Sequence, residues 1–175
     1  DRNHILITDE EMRSRGISYY EIDRGGDITY HGPGQLVLYP IFDLNNHYKD
    51  THRFLRDLEE AVIRTLREYD IAAYRDEEFT GVWVDEKKIC AIGIKVSRWV
   101  TMHGLAFNIN NDLSYFDKII PCGIFHKGVT SLAEIKNKKI DFAETIEILL
   151  SKFKIIFEFS SIDSLSLEGL EAIIG

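Results

Sequence analysis

Apolar positions recur every three or four residues over 51–69, where Phe54, Leu55, Leu58, Ala61, Val62, Thr65, Leu66 and Tyr69 form one stripe. That spacing predicts an amphipathic helix. A second helix is predicted over 142–153. Asp141 followed by Glu144 reads as a capping start, and Phe142, Ile146, Leu149, Leu150 and Phe153 make its inner face. A short helix is expected after Ser114, ending near Ile119 ahead of Pro121. The remaining apolar runs read as strands. These are Gln35–Phe42, the hairpin of 81–84 with 89–97 across the charged turn Asp85-Glu86-Lys87, the run 102–109, and a last strand over 155–159. Helices inserted without a regular βαβ rhythm predict an α+β fold with a mixed, mostly antiparallel sheet.

The 175 residues fit one domain. With 45% hydrophobic and 29% charged residues, disordered and low-complexity classes are excluded. The apolar run 36–42 is broken by Pro40 and is far short of the ~20 residues of a membrane span, and no signal peptide is read at the N-terminus. A net charge of −8 argues against a nucleic-acid binder. Two cysteines, Cys90 and Cys122, are too few for a disulfide scaffold, so reduced thiols and a cytoplasmic location are expected.

Four segments could carry chemistry. The first runs from Arg24 to Gln35, with glycines at 25, 26, 32 and 34 around Asp27, Thr29, Tyr30 and His31. Glycines let a backbone approach a ligand closely, although two hairpin turns would use them as well. In the second, strand parity puts Lys88 on the face of Cys90, Ile92, Ile94 and Val96, pointing inward or toward the rim. An inward lysine is costly unless paired or neutral; snorkelling from the strand end is the plain alternative. Ala91 and Gly93 on the other face leave room for a ligand or for close packing. The third is Cys122, on a constrained loop between Pro121 and Gly123, whereas Cys90 reads as a buried small hydrophobe. In the fourth, His103 shares parity with Leu105 and Phe107, which suits a hydrogen-bonded core histidine. The other histidines show no metal spacing, and no metal is expected.

Taken together, Arg24–Val37, Gly81-Val82-Trp83-Val84, Lys88–Gly93, His103–Asn108 and Ile120–Gly123, with Val129–Leu132 after them, resemble the lipoyl(octanoyl) transferases over roughly residues 2–155. The resemblance implies a fold shared with biotin and lipoate protein ligases, a mixed sheet flanked by helices with a smaller second sheet. It implies transfer of an octanoyl group from octanoyl-acyl carrier protein to a lysine of a lipoyl domain, such as those of 2-oxoacid dehydrogenase E2 subunits or glycine cleavage H protein. Cys122 would be the acylated nucleophile and Lys88 its base, and to act as a base Lys88 must lose its proton more readily than an ordinary lysine. Arg24, Gly25, Gly26, Thr29, Tyr30, His31, Gly32, Gly34 and Gln35 would bind substrate. So would Ala91, Ile92 and Gly93, and His103, Gly104, Leu105 and Ala106. Thioester exchange requires no ATP, and no cofactor is expected. An ATP-dependent ligase and a non-catalytic binding module are the rival readings. Docking to an acidic carrier would need a local basic patch, for which Lys87, Lys95, Arg98 and Lys127 are candidates. A monomer is expected. The family carries further elements upstream of Asn3–Leu6, and residues 1–175 read as a single catalytic domain without them.

Overall fold

The computed structural model describes residues 2–120, 128–166 and 168. Five strands form one sheet in the order β1-β5-β4-β3-β2: β1 Gln35–Leu38, β2 Tyr74–Arg75, β3 Val82–Val84, β4 Lys87–Ser97 and β5 Val100–Asn108. All four ladders are antiparallel, and an isolated parallel bridge joins Lys88 to Val129. The smaller second sheet is not formed among the described residues; only isolated bridges, such as Ile5 with Ile119, lie outside the main one.

Two turns of two residues build the centre of the sheet. Asp85 and Glu86 (φ 45° and 63°) join β3 to β4, and Arg98 and Trp99 (φ 52° and 67°) join β4 to β5. Left-handed backbone at both turn positions matches the twist of the flanking strands. The run 35–42 is a strand only to Leu38. Pro40 has no N–H to give a ladder, and Tyr39 and Ile41 stay exposed beyond it.

The helices are α1 Asp9–Ser14, α2 Thr51–Arg67, α3 Leu132–Lys136 and α4 Phe142–Ile156. The sequence reading did not anticipate α1, α3 and β2, which are short. The Thr8 hydroxyl accepts from Glu11 N, and the Glu11 carboxylate accepts from Thr8 N, which closes a capping box on α1. Asp50 and Asp141 cap α2 and α4 through Arg53 N and Glu144 N. Phe54, Leu58, Ala61, Val62 and Leu66 are fully buried, so the predicted α2 stripe is the face that packs on the sheet and on α4.

The strand expected over 155–159 is not one. Helix α4 continues through Ile156, Phe157 N donates to Phe153 O, and the chain turns at Glu158 (φ 56°). Leu149, Phe153 and Phe157, four apart, are all buried, so the helical stripe runs on through residues whose β propensity suggested a strand. Phe157 lies edge-on to Phe42 and close to Phe54. No helix among the described residues is long and apolar enough to cross a membrane.

Candidate acyl-binding site

The sheet face of Ala91, Gly93, Gly104 and Ala106 carries a cavity of about 340 Å³, near the low end of the roughly 300–1,000 Å³ of small-ligand sites. Lys88, Ala91, Gly93, Gly104 and Ala106 line it along β4 and β5, and Arg24–Thr29 with His31 line it from above. Glu78, Phe79, Thr80 and Leu55 border it as well.

Lys88 reaches this cavity because of a β-bulge. Val82 pairs with Cys90 but Trp83 pairs with Lys88, so Ile89 is an extra residue on β4. Ile89 and Cys90 are consecutive and both fully buried in the core. The parity count therefore fails at Lys88. It lies opposite Trp83, not on the face of Cys90, and shares the cavity wall with Ala91 and Gly93. Its Nζ is 4.8 Å from the centre of the Trp83 ring, and Trp83 Nε1 donates to Phe79 O. Gly81 leaves space for this arrangement. At φ 128°, a Cβ there would come within 2.5 Å of Cys90 O and 3.4 Å of Lys88 Cε. The buried Glu59 carboxylate accepts from Gly81 N at 3.0 Å and is itself paired with Arg56 and Arg75.

The glycine-rich segment crosses β4 at van der Waals distance. Gly25 N donates to Ile94 O, and a Cβ on Gly93 would sit 2.5 Å from Gly25 O. Arg24 braces its own loop, donating to Gly25 O (2.9 Å) and Asp27 O (2.6 Å). Gly32 and Gly34 line no described cavity. A Cβ on Gly32 would overlap the Tyr30 hydroxyl, and Gly34 (φ 84°) lies against the Asn110 backbone. Tyr30 stacks on Tyr115, with ring centres 4.8 Å apart, and borders an adjoining cavity of about 780 Å³ instead of the first.

His103 is not a core histidine. At φ 60° its ring leaves the side of Leu105 and Phe107, and its Nε2 lies 3.5 Å from Asp23 Oδ1, with Tyr39 edge-on. Asp23 also pairs with Lys95, whose hydrogen bond holds that carboxyl below the ordinary aspartate value. Gln35 borders the cavity but is 8% exposed, and its amide is engaged by Tyr30 O, Asn108 and His31.

Cys122 and Lys127 lie outside the described residues. Gly128, the first described residue after them, accepts from Lys88 N at 2.9 Å, and Thr130 N donates to Lys88 O. Cys90 is unsuited to nucleophilic attack. Burial pushes its thiol far above the ordinary value, more than the nearby Lys88 charge pulls it down. Of the four candidates for a basic patch, two are paired with carboxylates. Lys87 pairs with Glu134 and Lys95 with Asp23, at ends of β4 that strand geometry separates by about 26 Å.

Trp83 and Asn108 lie in segments that carry the resemblance but were assigned no role, and Glu59 was not singled out. Trp83 was within reach of the sequence reading, since a two-residue turn at 85–86 puts residue 83 opposite residue 88. Asn108 and Glu59 act through contacts far along the chain, which no local pattern announces.

The profile of the lipoyl protein ligase A/B catalytic domain matches residues 1–154. An octanoyltransferase of Christiangramia forsetii is 52% identical over 164 residues, covering 90% of this chain and 70% of that protein. A lipoate-protein ligase A solved with ATP superimposes with a TM-score of 0.74 at 18% identity, covering 94% of this chain and 68% of the other. A lipoate protein ligase of Thermoplasma acidophilum, studied with its E2 lipoyl domain, gives 0.73 at 19% identity and covers 94% and 67%. The sequence match extends through the cavity-forming segments and the structural match through the sheet that carries them, and the chain belongs to the lipoyl protein ligase A/B catalytic domain family.

Proposed function

We propose that this protein is an acyltransferase that moves an octanoyl group from acyl carrier protein to a lysine of a lipoyl domain, through a thioester on Cys122. The observation that carries the reading is Lys88, turned by the bulge at Ile89 into an apolar cavity roofed by the glycine-rich segment. Half-identity to an octanoyltransferase supports the acyl group, and the lipoate ligase with its E2 lipoyl domain supports the acceptor class.

In the first half-reaction the Cys122 thiolate attacks the thioester carbonyl, Lys88 having taken the thiol proton. The bond from carbon to the carrier's sulfur breaks, and the carrier thiol leaves with that proton. In the second, the acceptor amine attacks the acyl-enzyme. A carbon–nitrogen bond forms, the bond to Cys122 breaks, and the amine's proton passes through Lys88 to the cysteine sulfur. The acyl chain lies in the cavity beside Ala91 and Ala106, whose side chains are small. A thiol nucleophile must stay reduced, which fits the cytoplasm.

The structural likeness to a ligase solved with ATP favours one rival, activation of a free acid by ATP. Intact mass spectrometry separates the two. Mixed with octanoyl-acyl carrier protein and no ATP, the protein should gain one octanoyl group and Cys122→Ser none. No adduct on the parent, with the lipoyl domain octanoylated only when ATP and free octanoate are supplied, would establish the ligase reading instead.

A further inference from the structure

We propose that Gln35 and Asn108 fix His31 as its Nδ1–H tautomer, so that Nε2 offers a lone pair to the acyl cavity and accepts an N–H of the attacking amine. The role in transfer rests on the function proposed above; the tautomer does not.

The assignment starts from two backbone carbonyls, which can only accept. Asn108 Nδ2 donates to Thr130 O at 3.0 Å, so Asn108 Oδ1 faces the other way, toward Gln35 and Asn111. Gln35 Nε2 donates to that oxygen at 2.9 Å and to Tyr30 O at 3.2 Å. Both amide orientations are therefore set, and Gln35 Oε1 is left 2.8 Å from His31 Nδ1. An amide oxygen facing the ring requires the proton on Nδ1, and a neutral imidazole then has an acceptor at Nε2. Gln35 and Asn108 are 8% and 4% exposed, so bulk water does not compete for these bonds.

His31 and Lys88 line the same cavity. The amide chain also reaches Lys88: Thr130, whose carbonyl receives Asn108, gives its own N–H to Lys88 O. The chain of donors and acceptors thus runs from the His31 ring to the backbone of Lys88. Of the reacting groups, the acyl tail has no donor, the thioester carbonyl only accepts and a thiol donates weakly. The amine N–H is the strong donor that a lone pair at Nε2 would meet. Gln35 and Asn108 are positioning residues; His31 touches the substrate.

The tautomer is read directly from the two imidazole nitrogen shifts of His31 in the free protein, at a pH where the ring is neutral. The parent should show a protonated-type Nδ1 and a pyridine-type Nε2. Gln35→Met removes the acceptor and should let Nε2–H, the commoner form in water, take over. Starting from preformed acyl-enzyme, single-turnover discharge to the acceptor lysine should slow about tenfold in Gln35→Met, the worth of about one hydrogen bond. A parent with its proton on Nε2, or a folded Gln35→Met with an unchanged pattern, would overturn the tautomer. An inverted pattern with unchanged discharge would overturn the role of His31. Failure to form any acyl-enzyme would count against the proposed function and leave the spectroscopic result standing.

Discussion

At Gly93 the shortest possible side chain decides whether the cavity has a roof. A methyl group there would meet Gly25 O at 2.5 Å and Arg24 Nη1 at 2.9 Å, so the glycine-rich segment would have to lift off β4. Gly93→Ala should lose about 1–3 kcal/mol in urea unfolding and lose octanoyl loading almost entirely. Loading at the parent rate would show that the roof is not part of the site. The glycines and their clustering were readable as a close approach, and the structure names what approaches. Lys88 was readable as a candidate but on the wrong face. Period-2 counting is valid only along an unbroken ladder, and the extra residue at Ile89 is specified by pairing with β3. His103 misled for a similar reason, since its positive φ breaks the alternation.

At the scale of elements, helix boundaries depended on which pattern was weighted. In Ile155-Ile156-Phe157-Glu158-Phe159 the β-favouring composition competed with a stripe already running at four-residue spacing, and burial against α2 favoured the stripe. Phe157→Ala should cost about 3–5 kcal/mol in chemical denaturation, because Phe157 fills space between Phe42, Phe54 and Phe153. A strand end fraying into solvent would lose far less. Strand β2 is two residues long and is held to α2 by charge: Arg75 pairs with Glu59 and Glu60, and Arg64 also binds Glu60. Burial acts to raise the Glu60 pKa, yet the bonds from Arg64 and Arg75 outweigh it and leave it below the ordinary value. A lowered carboxylate contributes stability that is present above its unfolded pKa and lost as pH falls through the folded one. Glu60→Gln should therefore be less stable than the parent near neutrality, and the difference should shrink toward pH 3. An equal deficit at both pH values would mean the glutamine disturbs packing instead.

Across the whole molecule, the sheet separates two tasks. One face is sealed by α2 and α4, and the other is left to small side chains and a crossing loop. A cavity of this size sets a length limit on its ligand. In calorimetry, free fatty acids should gain about 0.8 kcal/mol per CH₂, roughly fourfold in affinity, from hexanoate to octanoate. The gain should stop, or reverse, in chains much longer than octanoate. A gain that continued undiminished to dodecanoate would place the acyl chain on an open surface instead.

By itself the sequence determined the α+β class, the two long helices, the central hairpin and the segments that carry the family resemblance. All of these depend on local periodicity, capping and turn chemistry, which act between residues close in the chain. Tertiary structure alone decided the face of Lys88, the direction of His103, and the amide chain from His31 through Gln35 and Asn108 to Thr130. Each of these depends on strand register or on hydrogen bonds between residues distant in sequence. Gln35 and Asn108 are 73 positions apart; only the pairing of β1 with β5 brings their amides together.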